Sequence, residues 1–272
     1  MDIIIDTIKD TFLIIPILFI MYLCLEYFEH KNISQSMTKY LTRYGPLIGA
    51  ILGIIPQCGF GVLASLLFIN KRISLGTLIS VFIATSDEAI PILLTNPQLY
   101  TSLLGIILTK FILAIIVGYL VDILLKPQTV THQQLSHEHC HEHSIAIEAM
   151  IRTFKIYTFI FLVNIVLSTA IEIIGPKTLS YILLDKSIIQ PIVSAIFGFI
   201  PNCAASVILT QLHVNGILSF ASLLAGLITN AGLGILVLLQ NRIDIKTLIR
   251  ICTILLLSAL IVGLPLQWFF LY

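Results

Sequence analysis

The sequence predicts an all-α integral membrane protein built from two inverted-topology repeats. Each repeat is expected to hold three transmembrane helices and one re-entrant helical hairpin, ten helical segments in all. Three observations predict this. The first is composition: of 272 residues, 58% are hydrophobic and only 11% charged. A soluble domain carries roughly 25% charged residues. With a mean hydropathy of +1.04, the chain has too few charges to cover a water-facing surface. The second is an internal repeat. Residues 44–118 align without a gap on 189–263, through pairs such as Pro46/Pro191, Gly53/Gly198, Pro56/Pro201, Cys58/Cys203, Ser74/Ser219 and Gly118/Gly263. Thr7/Thr153, Lys9/Lys155 and Glu26/Glu172 extend the match with a one-residue shift. Repeats of this kind are a hallmark of secondary transporters. The third is a helix-breaking stretch that occurs in both halves, Gly53-Ile54-Ile55-Pro56-Gln57-Cys58-Gly59 and Gly198-Phe199-Ile200-Pro201-Asn202-Cys203-Ala204.

The elements follow in order. Residues 1–125 form the first repeat, 126–150 a polar His-rich linker and 151–272 the second repeat. In the first, 11–28 is an apolar run long enough to span, and 29–45 is polar. Pro46 opens a run to Ile69 that is interrupted at Pro56–Gly61. Asn70-Lys71-Arg72 is a tight turn, 73–94 the next span, Asn96-Pro97 a turn and 101–125 a further span. The second repeat gives 155–174, the interrupted run 191–214, then 218–239 and 249–271 as spans. The N-terminus, Met-Asp-Ile-Ile-Ile-Asp, is acidic where a secretory signal is basic, so no cleavable signal is expected.

The charge distribution decides how the repeats lie. The arms 46–55 and 59–69 are each about 15 Å long as helix, half of the ~30 Å hydrocarbon core. If each pair of arms is a re-entrant hairpin, eleven basic residues share one side, among them Lys71, Arg72, Lys126 and Arg242, and only Lys9, Lys177 and Lys186 lie opposite. If each pair crosses the bilayer, the split is about eight to six. The positive-inside rule favours the hairpins. It places both termini outside a cell (inner) membrane, the linker in the cytoplasm, and the two hairpin tips near the midplane from opposite faces.

Chemistry concentrates at those tips. Pro removes a backbone donor and enforces a break. Helix ends leave amides and carbonyls without intrahelical partners, and such backbone is tolerated at bilayer depth only where protein or a water-filled site satisfies it. Gly53, Gly59 and Gly198 permit close backbone approach beside Pro56 and Pro201. Gln57, Cys58, Asn202 and Cys203 therefore form a candidate substrate site, with thiols for soft ions and amide oxygens for harder ones. Buried free Cys is commonly a small apolar packing residue; recurrence next to a Pro break in both repeats argues for a site instead. Cys24 and Cys252 lack that context and are read as packing. Asp87 and Glu88 are the only acidic pair inside an apolar span, at a cost of ~2.5–3.5 kcal/mol per charge on insertion scales. They join the candidate site with Ser86, alongside Thr229 and Asn230 of the second repeat; a structural hydrogen bond made by a neutral acid is the alternative. In the linker, His137, His139, Cys140, His141 and His143 form a low-complexity metal-binding tract, auxiliary to transport, the alternative being a solvated loop.

The Pro-x-Cys breaks Pro56-Gln57-Cys58-Gly59 and Pro201-Asn202-Cys203, the Ser86-Asp87-Glu88 segment and the His-rich linker resemble the ten-segment heavy-metal exporter family, whose members are labelled arsenic efflux proteins or manganese transporters. Organoarsenical efflux permeases are more distantly similar. The resemblance covers essentially the whole chain and implies efflux of a metal or metalloid ion.

The expectation is a secondary active transporter, with protons as the coupling ion and the lipid bilayer and the transported ion as partners. No resident cofactor is expected, and a homodimer is compatible with the sequence. Nucleic acid is not an expected partner, and the net charge of +1 says nothing about it. The rival within transport is a manganese uptake carrier or channel. The rival from another class is a membrane thiol redox enzyme using Cys58 and Cys203; no nucleotide- or cofactor-binding signature supports it, and the chain is expected not to be an enzyme.

Overall fold

The computed structural model describes residues 35–55, 59–85, 89–125, 187–241 and 243–271, with the isolated positions 154, 158, 162 and 169. The expected first span 11–28, the linker 126–150 and most of the span 155–174 lie outside the described residues. Ten α-helices and no strand lie within them. They are α1 Gln35–Ile54, α2 Gly59–Ile69, α3 Leu75–Ala84, α4 Ala89–Leu94, α5 Tyr100–Leu124, α6 Gln190–Gly198, α7 Cys203–Val214, α8 Phe220–Thr229, α9 Leu233–Gln240 and α10 Ile245–Leu271, with a 3-10 turn at Pro97–Leu99 before α5. The chain is a multi-pass membrane protein. Among the described residues, four segments are long and apolar enough to cross a bilayer: Leu75–Leu94, Pro97–Leu124, Phe220–Gln240 and Ile245–Phe269.

Helix boundaries recur between the halves at the offset of the sequence repeat. Leu75 and Phe220 open equivalent helices, Ala84 and Thr229 close them, and Ile69 pairs with Val214. The same local chemistry writes both copies. Ser74 caps α3 by accepting from Thr77 N at 3.1 Å, and Ser219 caps α8 by accepting from Ser222 N at 3.1 Å. Each such cap stabilises its helix by about 1 kcal/mol. The turns before them match as well. Arg72 N donates to Leu67 O at 2.8 Å and Ile217 N to Leu212 O at 3.0 Å. Both are Schellman closures, whose pivot residue is left-handed: Lys71 at φ 53° and Gly216 at φ 74°.

Two expectations need correction. The runs 73–94 and 218–239 are not single helices. Each breaks at its middle, after Ala84 and after Thr229. In the first, α4 begins at Ala89 and carries Pro91 in its first turn. Pro91 has no N–H for the carbonyl four residues back, so a continuous helix loses a bond there. In the second, Gly232 takes φ 53° and ψ −140°, a conformation that only glycine adopts at little cost. Nor does Pro46 open a helix. It lies inside α1, where its carbonyl accepts the Ser80 hydroxyl at 2.5 Å and its ring packs on Gly118. Pro191, its counterpart, stands in the first turn of α6 as expected.

Within each half, one helix (α1, and α6 in the second half) runs parallel to the first part of the broken span. Gly45, Gly49 and Gly53 of α1 lie in turn against Thr77, Ser80 and Ala84 of α3. In the second half, Gln190 meets Ser222, Ser194 lies against Gly226, and Gly198 reaches Thr229. These are small-residue contacts of the kind that lets membrane helices approach closely. The long helices complete each half. α5 buries Leu103, Ile106, Lys110, Ala114, Gly118 and Val121, and exposes Leu104, Leu108, Ile112, Ile116 and Leu120. The exposed stripe is wholly apolar, which suits acyl chains and not water. Ile251, Leu255 and Ala259 repeat the buried face on α10.

The halves then exchange partners. α2 packs on α9, and α7 packs on α4. The Ser65 hydroxyl on α2 lies 2.8 Å from Gly61 O and 2.9 Å from Gly234 O, tying α2 to the start of α9.

Candidate functional site

The candidate site is built from helix ends. α1 stops at Ile54 and α2 resumes at Gly59; α6 stops at Gly198 and α7 resumes at Cys203. These interruptions fall where the Pro-amide-Cys stretches predict them. Each lies beside the break of its neighbouring span. A Cβ on Gly53 would come within 2.6 Å of the Ala84 methyl and 2.9 Å of Val81 O. One on Gly198 would collide with the Gly226 carbonyl and the Thr229 hydroxyl. Across the halves, a Cβ on Gly234 would lie 2.6 Å from the Phe82 ring and 2.9 Å from Gly61 O. The described residues flanking all four breaks are therefore close neighbours.

Helix ends so arranged offer two kinds of ligand. The C-terminal ends of α1, α3, α6 and α8 present carbonyls and the negative pole of the helix dipole, which suits cations. The N-terminal ends of α7 and α9 present amides. Local side chains satisfy part of this set. Asn202, 3% exposed, caps α7 by accepting from Ala204 N at 3.1 Å. Asn230, 8% exposed, closes the break in its own span, accepting from Gly232 N at 3.1 Å. The Thr229 hydroxyl is fully buried and donates to Ala195 O at 2.7 Å, so it fastens α8 to α6. Three of the four site residues expected in the second half, Asn202, Thr229 and Asn230, thus lie at the breaks with their oxygens engaged in local structure. Cys203 is the first residue of α7. Pro56, Gln57, Cys58, Ser86, Asp87 and Glu88 lie outside the described residues, as do His137, His139, Cys140, His141 and His143. Among the described residues, no three His, Cys, Asp or Glu side chains gather into a metal-binding group. Cys252 is a free thiol on α10. His213, for which the sequence offers no partner, has Nδ1 at 2.8 Å from Leu218 O.

Sequence reasoning passed over Lys110. Its side chain is 1% exposed. The ammonium donates to Thr85 O at the end of α3 and, at 2.8 Å, to Leu227 O in the last turn of α8. The signal was present: a charge inside an apolar span is a functional hypothesis by default, the rule that singles out Asp87. Asp122 was missed too. It accepts from Ser74 Oγ at 2.6 Å and from Gly76 N at 2.8 Å, anchoring the N-terminal end of α3 to α5. Gln267 does the same in the second half, accepting from Ser219 Oγ at 2.5 Å.

The model of one protein family matches residues 1–176, nearly two thirds of the chain; the family is described as "Putative, 10TM heavy-metal exporter". Comparison with curated proteins gives no match, and neither does comparison with solved structures. The match runs through the first repeat, the linker and into the second repeat, and takes in the first Pro-amide-Cys break and the acidic pair. The chain belongs to the ten-transmembrane heavy-metal exporter family.

Proposed function

We propose that this protein is a secondary active transporter that exports a metal or metalloid ion, binding it where the four helix breaks meet. In this reading the repeats are inverted, and 46–69 and 191–214 are re-entrant hairpins. The supporting observation is the level of the helix ends. α1 runs parallel to α3 and stops beside the last residue of α3, in the middle of a segment of bilayer length. α2 then returns toward the Schellman turn that precedes α3. A helix that reaches mid-span and turns back is what a re-entrant arm requires.

In the same reading Cys58 and Cys203 supply soft ligands, and Gln57 and Asn202 supply harder ones. Asp87 takes up a proton or balances the charge of the cargo, with Glu88 and Ser86 beside it. The linker histidines collect metal without forming the transport site. The chain is not an enzyme.

The test is transport by purified protein in proteoliposomes across a panel of soft and hard ions, with and without a pH gradient. Export-direction flux of a soft ion, enhanced by the gradient, is expected. Flux of manganese alone would move the reading to the hard-cation alternative. Topology is tested separately, with single cysteines at 71 and 98 in a Cys-free background. Position 98 should label from outside the cell and position 71 should not; labelling of 71 would sink the hairpins.

A further inference from the structure

Among the described residues, Lys110 is the largest fully buried side chain after Phe82, and the proposed transport mechanism gives it no task. Its setting is specific. The ammonium bridges the carbonyls of Thr85 and Leu227, one from each half of the protein. Thr85 is the residue that caps α3 at its C-terminal end, and Leu227 lies in the final turn of α8. Both helices end in mid-span, so two negative dipole ends converge on one point away from water. Carbonyls at the unwound ends of half-helices are the ligands that coordinate monovalent coupling ions in transporters with broken spans. Here a lysine reaches them first. The position is filled once per chain, because the equivalent residue on α10 is Leu255, fully buried and apolar.

We propose that the Thr85–Leu227 carbonyl pair is a monovalent-cation site permanently occupied by the tethered ammonium of Lys110. The lysine acts as an internal replacement for a dissociable cation, and it pins the two halves together at their breaks. Removing it leaves a cradle that a free primary ammonium ion can enter, because such an ion keeps the N–H donors that two carbonyls demand. A quaternary ammonium ion has the charge without the donors and should not substitute.

The test uses the full chain, purified in detergent. Lys110→Ala should lower the Tm by about 10 °C. Millimolar n-propylammonium should restore at least about half of that loss in a dose-dependent way, while tetramethylammonium restores none. The parent protein should respond to neither. Lys110→Met, which fills the space without charge, should be destabilised like Lys110→Ala. If Lys110→Ala is recovered folded only when extracted with n-propylammonium, the proposal stands. If neither amine changes its Tm or its recovery, or if Lys110→Met is as stable as the parent, the proposal is overturned. A second readout rests on the transport reading: parent flux should persist with choline in place of sodium and potassium, and flux by Lys110→Ala should require an added small cation. A parent that carries no ion would end the transport reading and leave the Tm result to decide this one.

Discussion

The two halves share a scaffold and differ in charge. Caps, turns and helix ends coincide at Ser74 and Ser219, at Lys71 and Gly216, and at Ala84 and Thr229. At the positions that could carry charge they part. In the repeat alignment Lys110 corresponds to Leu255, Asp122 to Gln267 and Asp87 to Gly232. At these three positions the first half carries an ionisable side chain and the second a leucine, an amide or a glycine. The shared residues are those that decide backbone path: small residues at helix crossings, hydroxyl caps, and Pro or Gly at breaks. The divergent ones leave the path alone. Two copies can therefore hold one architecture while one copy specialises in charge.

Crowding gives the largest effect on this comparison. Gly198→Ala drives a methyl into the Gly226 carbonyl and the Thr229 hydroxyl, whereas Gly53→Ala brings one to 2.6 Å from the Ala84 methyl and 2.9 Å from Val81 O. The overlap is deeper at 198, so a cost of about 3 kcal/mol is expected there and about 1–2 at 53. Thermal unfolding of both variants decides it; a larger loss at 53 would mean that the first half is the more tightly built.

The anchors come next. Asp122→Leu strands the Gly76 amide and leaves the Ser74 hydroxyl with Thr77 alone, and should cost about 2–3 kcal/mol. Asp122→Asn should cost only about 1 kcal/mol, because Gln267 performs the same anchoring without charge. If Asn is as damaging as Leu in the same melts, the carboxylate charge is needed in the first half and the anchors are not equivalent.

The thiols test whether the two tips contribute alike to transport. Cys58→Ser and Cys203→Ser should each reduce flux of a soft ion at least about tenfold, and of a hard ion little, since a hydroxyl is a poor soft-metal ligand. Parental rates for every ion in both variants would make the thiols packing residues. A loss confined to one variant would extend the functional asymmetry of the halves to their tips.

The smallest effect concerns the turn. Lys71 holds φ 53° where the second half has Gly216 at φ 74°. Lys71→Gly relieves the left-handed strain and should raise stability by up to about 1 kcal/mol, or a few degrees in Tm. A fall would show that the Lys71 side chain contributes more than its backbone costs.

Much of this arrangement was legible in the sequence, for identifiable reasons. The breaks at Pro56 and Pro201 announced themselves because Pro and an amide have no place in a continuous apolar helix. The repeat was visible because the residues that set backbone path are rare types, and rare types align. The breaks after Ala84 and Thr229 were hidden. Pro91 and Gly232 are each tolerated singly in a membrane helix, and only tertiary packing makes them end one. Lys110 was visible as a charge inside an apolar span and lost in a charge count that treats it as one basic residue among fifteen; its bonds to the Thr85 and Leu227 carbonyls are to backbone oxygens, which sequence cannot show. The hydroxyl of Thr229 looked free for a ligand and is engaged with Ala195 O, a contact between α8 and α6 with α7 between them in sequence.

The exchange of partners between halves has a consequence for biogenesis. α2 finds its packing surface on α9, and α4 finds its own on α7. During synthesis, α2 and α4 leave the ribosome well before the segments that cover them. The first half must wait in the bilayer with Ser65 lacking the Gly234 carbonyl that it meets in the finished protein. Folding of the early half is completed only by arrival of the late one, so the insertion machinery delivers an intermediate and not a finished domain. The same dependence means that two separately translated halves should find each other, since each carries the missing surface of the other.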